Sequence, residues 1–222
     1  MIPLRDINPR STVPVVTVLL IIANAAMFLY QVSLGPRAGQ ALAYTYGMIP
    51  ARVPVALTTH VVTLGQAFLP LLSSIFLHGG WLHLIGNMWF LWVFGDNIED
   101  RLGHFTYLLF YLVCGVGGGV VHTLANLGST VPAVGASGAI SGVMGAYIVL
   151  FPTSRVITLV PLLFIFFTVQ LPAVVILGYW FLIQFLSGVG SLGASSEGGV
   201  AFWAHIGGFV LGAVLVLGKR RR

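Results

Sequence analysis

Charge is what this sequence has least of. Asp, Glu, Lys and Arg make up only 7% of it, against about 25% in a soluble globular domain. So few charges cannot solvate a water-facing surface. The mean hydropathy is +1.00, which excludes an ordinary soluble enzyme. Cysteine is nearly absent. Cys114 is alone, so no intrachain disulfide can form, and its apolar surroundings read as packed core. No repeat of 20–50 residues and no low-complexity tract appears. The internal repeats and intramembrane charges usual in transporters are also missing. No H-E-x-x-H stretch exists to hold a catalytic zinc. An aspartyl intramembrane protease needs two Asp within its spans, and only Asp96 comes near one. His78, His83 and His205 could form a metal set only without the usual carboxylate. Neither metal nor cofactor is expected.

Apolar runs about as long as a bilayer is thick are what the chain has in abundance. Six are expected, at about 14–32, 81–97, 105–125, 137–151, 172–189 and 201–218. A single membrane-embedded unit over 1–222 follows, of all-α class, as a six-transmembrane-helix bundle. Arg5 and Arg10 before the first run mimic a signal peptide, but the chain never turns soluble, so a retained span is expected. Residues 38–77, broken by Pro50, Pro54 and Pro70, read as a long outer loop on or partly in the membrane. Residues 156–170 are very apolar but interrupted by Pro161 and bounded by Pro172. They read as an interfacial loop rather than a seventh span. The Gly/Ser-rich stretch 190–199 reads as a flexible outer loop.

Positive charge supports that count. The net charge is +5, and the cations sit at tails and loop edges rather than in a nucleic-acid-binding patch. With six spans, Arg5, Arg10, Arg101, Arg155 and the 219–222 cluster lie inside. Only Arg37 and Arg52 fall outside, so the ten Lys and Arg split eight to two. That bias favours both termini in the cytoplasm. Glycine is plentiful, at 28 residues. Gly138-xxx-Gly142 and Gly208-xxx-Gly212 have the spacing that lets helix backbones approach closely.

Polar side chains are expensive in lipid and draw attention by default. His83 and Asn87 are four residues apart on the second run and share a helix face. Ser137 opens the fourth run, and His205 lies one turn into the sixth. The expected topology runs these three helices in the same direction, so all four residues fall in the outer half of the membrane. A serine hydroxyl needs a base to become a nucleophile, and histidine is the usual one. The resulting oxyanion needs fixed donors. Asn87, His83 and the backbone N–H groups at Ala136 and Ser137 can supply them. No acid accompanies these residues, so a Ser–His dyad is expected rather than a triad. Taken singly, each has a bland reading as a helix-packing or helix-bridging group. His60, His78, His104 and His122 read as loop or interface residues, His78 the least bland of them.

Three motifs in order resemble the rhomboid family. His83-Leu84-Ile85-Gly86-Asn87 resembles its second-span H-x-x-x-N. Gly135-Ala136-Ser137-Gly138 resembles its G-x-S-G, and Ala204-His205 with Gly208 and Gly212 resembles its A-H-x-x-G-x-x-x-G helix. The resemblance covers roughly residues 68–218. It implies an intramembrane serine endopeptidase that cuts transmembrane segments of other membrane proteins. Ser137 would be the nucleophile, His205 the base, and Asn87, His83 and the Ala136–Ser137 backbone the oxyanion hole. His78 would match a helper histidine, and the fifth span and the 190–199 loop would gate access. A compact bacterial form in the inner membrane is expected. Two departures stand out. Residues 34–68 lack the Trp-Arg pair of many members. Ser141 stands where some members have a Tyr that stacks on the catalytic His. A relative that binds and escorts membrane proteins without cutting them is the main alternative, but such forms usually lack the Ser or the His.

Overall fold

The structure is a computed structural model that describes residues 1–59, 61–162, 165–191 and 200–219. The long helices are α1 (Val15–Ser33), α6 (Trp81–Leu102), α7 (His104–Ala125), α8 (Ser137–Leu150), α9 (Ala173–Gly190) and α10 (Phe202–Leu215). They fall on the six apolar runs. Four stretches pass a length and hydropathy test for crossing a membrane alone: α1, α7, α9 and Phe202–Lys219. The α6 helix passes together with Leu64–Phe76, from which it is bent by 75°. Large apolar side chains face outward around the bundle, for example Leu19 and Ile22 on α1, and Leu182 and Leu186 on α9. An apolar perimeter of this kind suits lipid, not water. The chain is an integral, multi-pass membrane protein.

The α8 helix is the hub. Every residue from Gly138 to Tyr147 is buried. Its 14 residues rise about 21 Å, less than the hydrocarbon thickness of about 30 Å. Glycine lets α10 lie directly on it. A Cβ on Gly208 would stand 2.0 Å from the Gly138 carbonyl oxygen, and one on Gly212 the same distance from that of Gly142. The two small-residue motifs therefore pack against each other, backbone to backbone.

The acids near the end of α6 anchor the start of α1 and the chain before it. The Glu99 carboxylate is fully buried. It accepts from the backbone N–H groups of Val16 and Thr17 at 2.8 and 2.7 Å and from the Thr17 hydroxyl at 2.7 Å. His104 Nδ1 lies 2.6 Å from it. These contacts satisfy orphan donors at the start of α1, which has no side-chain cap of its own. Asp100 holds Ser11 and Thr12 in the same way.

Two expectations are corrected. Residues 38–77 are largely helical rather than a loop. They form α2 (Gly35–Tyr46), α3 (Arg52–Thr58), α4 (Leu64–Phe68), α5 (Pro70–Ser73) and a 3-10 turn at Ser74–Phe76. The all-α class is also incomplete. β1 (Ile2–Asp6), β2 (Arg155–Leu162) and β3 (Ile165–Pro172) form an antiparallel sheet in the order β1-β2-β3. The run 156–170 is thus most of a hairpin, rich in the β-branched and aromatic residues that favour strands. Pro161 sits in β2 beyond the last β1 partner, Leu159, where an unpaired side tolerates it. Of the stretch expected as a flexible loop at 190–199, residues 192–199 lie outside the described residues, as do His60 and Arg220–Arg222.

Candidate active site

Gly135 shapes the site before any of its polar side chains does. Its φ of +130° is a conformation that side chains rarely adopt. A Cβ there would also stand 2.7 Å from His83 Nε2 and 3.5 Å from Asn87 Nδ2. Glycine is required on both counts. The Gly135 N–H donates to the Ser74 carbonyl at 2.9 Å, which ties this turn to the segment before α6. Ala136, fully buried, is the N-cap of α8, and Ser137 is the first helical residue. The first N–H groups of a helix have no partner within it and carry the positive end of its dipole. Ser137 itself carries the first of them.

His205 is the fourth residue of α10 and is 8% exposed. Its Nε2 lies 2.7 Å from Ser137 Oγ, within a strong hydrogen bond. The close backbone contact between α8 and α10 brings the pair together. From α6, Asn87 and His83 converge on the Gly135 turn. Asn87 Nδ2 is 3.0 Å from His78 Nε2. His78 is fully buried and lies behind Asn87 rather than in the cavity. Gln31 of α1 grips its backbone, donating to the His78 carbonyl at 2.9 Å and accepting from its N–H at 3.3 Å.

Ser137, His205, Asn87 and His83 all line two adjoining hollows. One, of about 290 Å³, lies between α6 and α9, with Phe90, Met144 and Trp180 in its wall. The other, of about 650 Å³, opens toward Gly79 and Gly80 and the 131–134 segment. Among the described residues, no carboxylate lines either hollow. Among the described residues, no group of three or more His, Cys, Asp or Glu is placed to hold a metal. The structure therefore brings Ser137, His205, Asn87 and His83 to one place, sets Ala136 directly behind the serine, and puts His78 in support of Asn87. His104 and His122 lie elsewhere, on α7.

Two neighbours of His205 were not foreseen. Gln184 Oε1 lies 2.7 Å from His205 Nδ1. The Trp180 ring packs at a tilt against the imidazole, with centroids 5.8 Å apart and planes 36° apart. Both come from α9, one turn apart. Ser141, at the position where a stacking Tyr was looked for, instead donates to the Ser137 carbonyl at 2.6 Å. Trp180, from another helix, packs at a tilt against the imidazole. A signal for Gln184 was present, since it is the only amide side chain in α9.

A multi-helix membrane protein in which a half-buried serine at the start of a central helix meets a buried histidine defines a narrow class. The Rhomboid domain family matches residues 65–222, and the chain belongs to the rhomboid family. It is 41% identical over 76 residues to RHOMBOID-like protein 5 of Arabidopsis thaliana, covering 34% of this chain and 25% of that protein. It is 31% identical over 151 residues to Rhomboid protein 1, mitochondrial, of Saccharomyces cerevisiae, covering 65% of this chain and 40% of that one. Presenilin-associated rhomboid-like protein A, mitochondrial, of Danio rerio is 33% identical over 102 residues, covering 43% of this chain and 26% of that protein. The matched region thus spans a quarter to two-fifths of these curated relatives. They are eukaryotic, and two carry mitochondrial names, so they lend no support to the expected bacterial inner membrane.

Proposed function

We propose that this chain is an intramembrane serine endopeptidase that cleaves transmembrane segments of other membrane proteins. The observation that carries this reading is the 2.7 Å contact between Ser137 Oγ and His205 Nε2, set at the N-terminus of a buried helix. In this reading α1, α6, α7, α8, α9 and α10 each cross the membrane, with both termini inside. The substrate helix enters sideways between α6 and α9, where the smaller hollow lies. Because α8 is short, Ser137 sits below the outer surface, and the larger hollow gives water a route to it.

His205 Nε2 takes the hydroxyl proton as Ser137 Oγ attacks the scissile carbonyl carbon. The carbonyl π pair moves to oxygen, and the oxyanion is held by the first N–H groups of α8 and by the Asn87 amide, with His83 beside it. Collapse of the intermediate expels the amine, which takes the proton from His205. A water then attacks the acyl-enzyme, gives its proton to His205, and releases the new carboxyl end. Ser137 recovers its proton from the imidazole. No cofactor enters. Unwinding a substrate helix in lipid exposes backbone groups at a cost, so segments with Gly or Pro near the cut are the preferred substrates.

The test is cleavage of a single-span substrate by purified protein in detergent, with Ser137→Ala and His205→Ala alongside. Cleavage by the wild type alone is the expected result. Equal cleavage by all three would sink the proposed dyad. No cleavage by any, across several substrates and lipids, would favour an escort protein that binds without cutting.

A further inference from the structure

We propose that Gln184 is the positioning residue for His205: its side-chain carbonyl holds the imidazole in the one tautomer that can accept the Ser137 proton. This inference rests on the protease reading above. A neutral imidazole carries a single proton, on Nδ1 or on Nε2. Only the Nδ1-protonated form leaves a lone pair on Nε2 for the serine. In the other form both the serine and Nε2 bring a proton to the contact, and no transfer can start. Something must therefore select the tautomer. In a triad a buried carboxylate does so. Here, among the described residues, no carboxylate lines the site.

The geometry supplies a substitute. Gln184 Oε1 lies 2.7 Å from Nδ1 on the side of the ring away from the serine. A carbonyl oxygen has no proton to give, so Nδ1 must be the donor. Nε2 is then free, 2.7 Å from Ser137 Oγ. A reversed amide would turn its N–H toward Nδ1 and force the proton onto Nε2, the inert form. Trp180, one turn earlier on α9, limits rotation of the ring. Together the two side chains fix both the plane and the protonation of the imidazole.

An amide also suits the surroundings. A carboxylate in the bundle would be costly to bury in lipid. The amide dipole still stabilises the imidazolium that forms during attack, without carrying a permanent charge. The residue does not touch the reacting atoms and acts only through His205.

The experiment compares wild type, Gln184→Met, Gln184→Glu and Ser137→Ala. Methionine keeps the length of the side chain but has no comparable acceptor, whereas glutamate keeps an acceptor. The first readout is the second-order rate of labelling by a small fluorophosphonate, which needs no substrate helix to enter. The second is the ¹⁵N chemical shifts of the His205 imidazole, which report the tautomer directly. Wild type should label and Ser137→Ala should not. Gln184→Met should label about 10–100-fold more slowly, less than the loss from a wrong tautomer in a carboxylate triad. Its imidazole should lose the pure Nδ1–H signature. Gln184→Glu should label within a few-fold of wild type. With a peptide substrate, the Gln184→Met loss should appear in kcat and not in KM. Wild-type labelling together with an unchanged tautomer in Gln184→Met would overturn the proposal while leaving the protease reading intact. If wild type itself failed to label, the protease reading would fall. The imidazole spectrum would then decide on the Gln184 contact alone, unchanged shifts in Gln184→Met overturning it.

Discussion

The contact between α8 and α10 makes a strong demand on Gly208. The site needs two helices to hold Ser137 and His205 at 2.7 Å, and Gly208 lies one turn beyond His205. Gly138, its partner across the contact, follows Ser137 directly. Adding a methyl group at Gly208 would put a Cβ 2.0 Å from the Gly138 carbonyl oxygen and 2.9 Å from its carbon. Ordinary contact begins near 3.4 Å. Both atoms are backbone, so no side chain can swing aside and the helices themselves must part. Reaching ordinary contact takes a displacement of about 1.4 Å. Carried one turn along to the dyad, that lengthens the Ser–His contact to about 4 Å, beyond a hydrogen bond.

Gly208→Ala should therefore lose activity out of proportion to stability. Overpacking of this kind costs about 1–3 kcal/mol. Misplacing reacting groups by about 1 Å costs about 100-fold in rate. Gly212→Ala meets the Gly142 carbonyl at the same 2.0 Å but lies one turn further from the dyad. It should cost similar stability and less activity. Gly178 of α9 has open space around its missing side chain, so Gly178→Ala is the control. The assay is turnover of a single-span substrate in detergent, beside thermal unfolding followed by circular dichroism. A folded Gly208→Ala protein with wild-type turnover would refute the argument that this contact sets the dyad.

Three further outcomes follow from the same structure. Asn87→Ala should lower kcat by about 10²–10³-fold with little change in KM, if the amide holds the oxyanion; steady-state kinetics on the same substrate checks it. Glu99→Ala should lower the unfolding midpoint strongly, at a cost of about 3–5 kcal/mol, because it leaves the start of α1 and His104 without their buried partner. At Asp6, burial pushes the carboxyl up to about 6 from its ordinary 3.8, partly offset by the hydrogen bond from Tyr147. The folded chain holds that proton more tightly than the unfolded chain, so the stabilisation is full below about 4 and is lost as pH rises to about 6. Melting curves should show wild type losing ground to Asp6→Asn across that window and no further above it.

How much of this was legible depended on which physical signal dominated each stretch. The six long helices could be read because a lipid-facing helix must be apolar along its length, and Val15–Ser33 or His104–Ala125 carry that signal undiluted. The hairpin could not be separated from a span on hydropathy, since a continuously apolar strand has the same composition. Its β-branched residues and Pro161 were the distinguishing marks. The prolines of 38–77 misled in the opposite direction. Prolines commonly break helices, yet Pro70 opens α5 and Pro54 lies in the first turn of α3, where a missing N–H costs nothing. Ser137, His205, Asn87 and His83 stood out because lipid makes polar groups conspicuous. The same reasoning reaches Gln184, which no motif marks and which only the approach of α9 to α10 connects to the site.

Two polar chains converge on the Gly135 turn, and their convergence accounts for the form of the bundle around it. One runs from Gln31 on α1 to the His78 backbone, through the His78 ring to Asn87 on α6. The other runs from Gln184 on α9 through His205 on α10 to Ser137 on α8. An unsatisfied polar group in hydrocarbon costs several kcal/mol, so each of these side chains stabilises the fold only while its partner is in place. The bonds that make the site affordable in lipid are therefore the same bonds that orient it. Five helices must be correctly placed before both chains close. Gly135 is where the two meet, because a side chain there would crowd His83 and would touch Asn87.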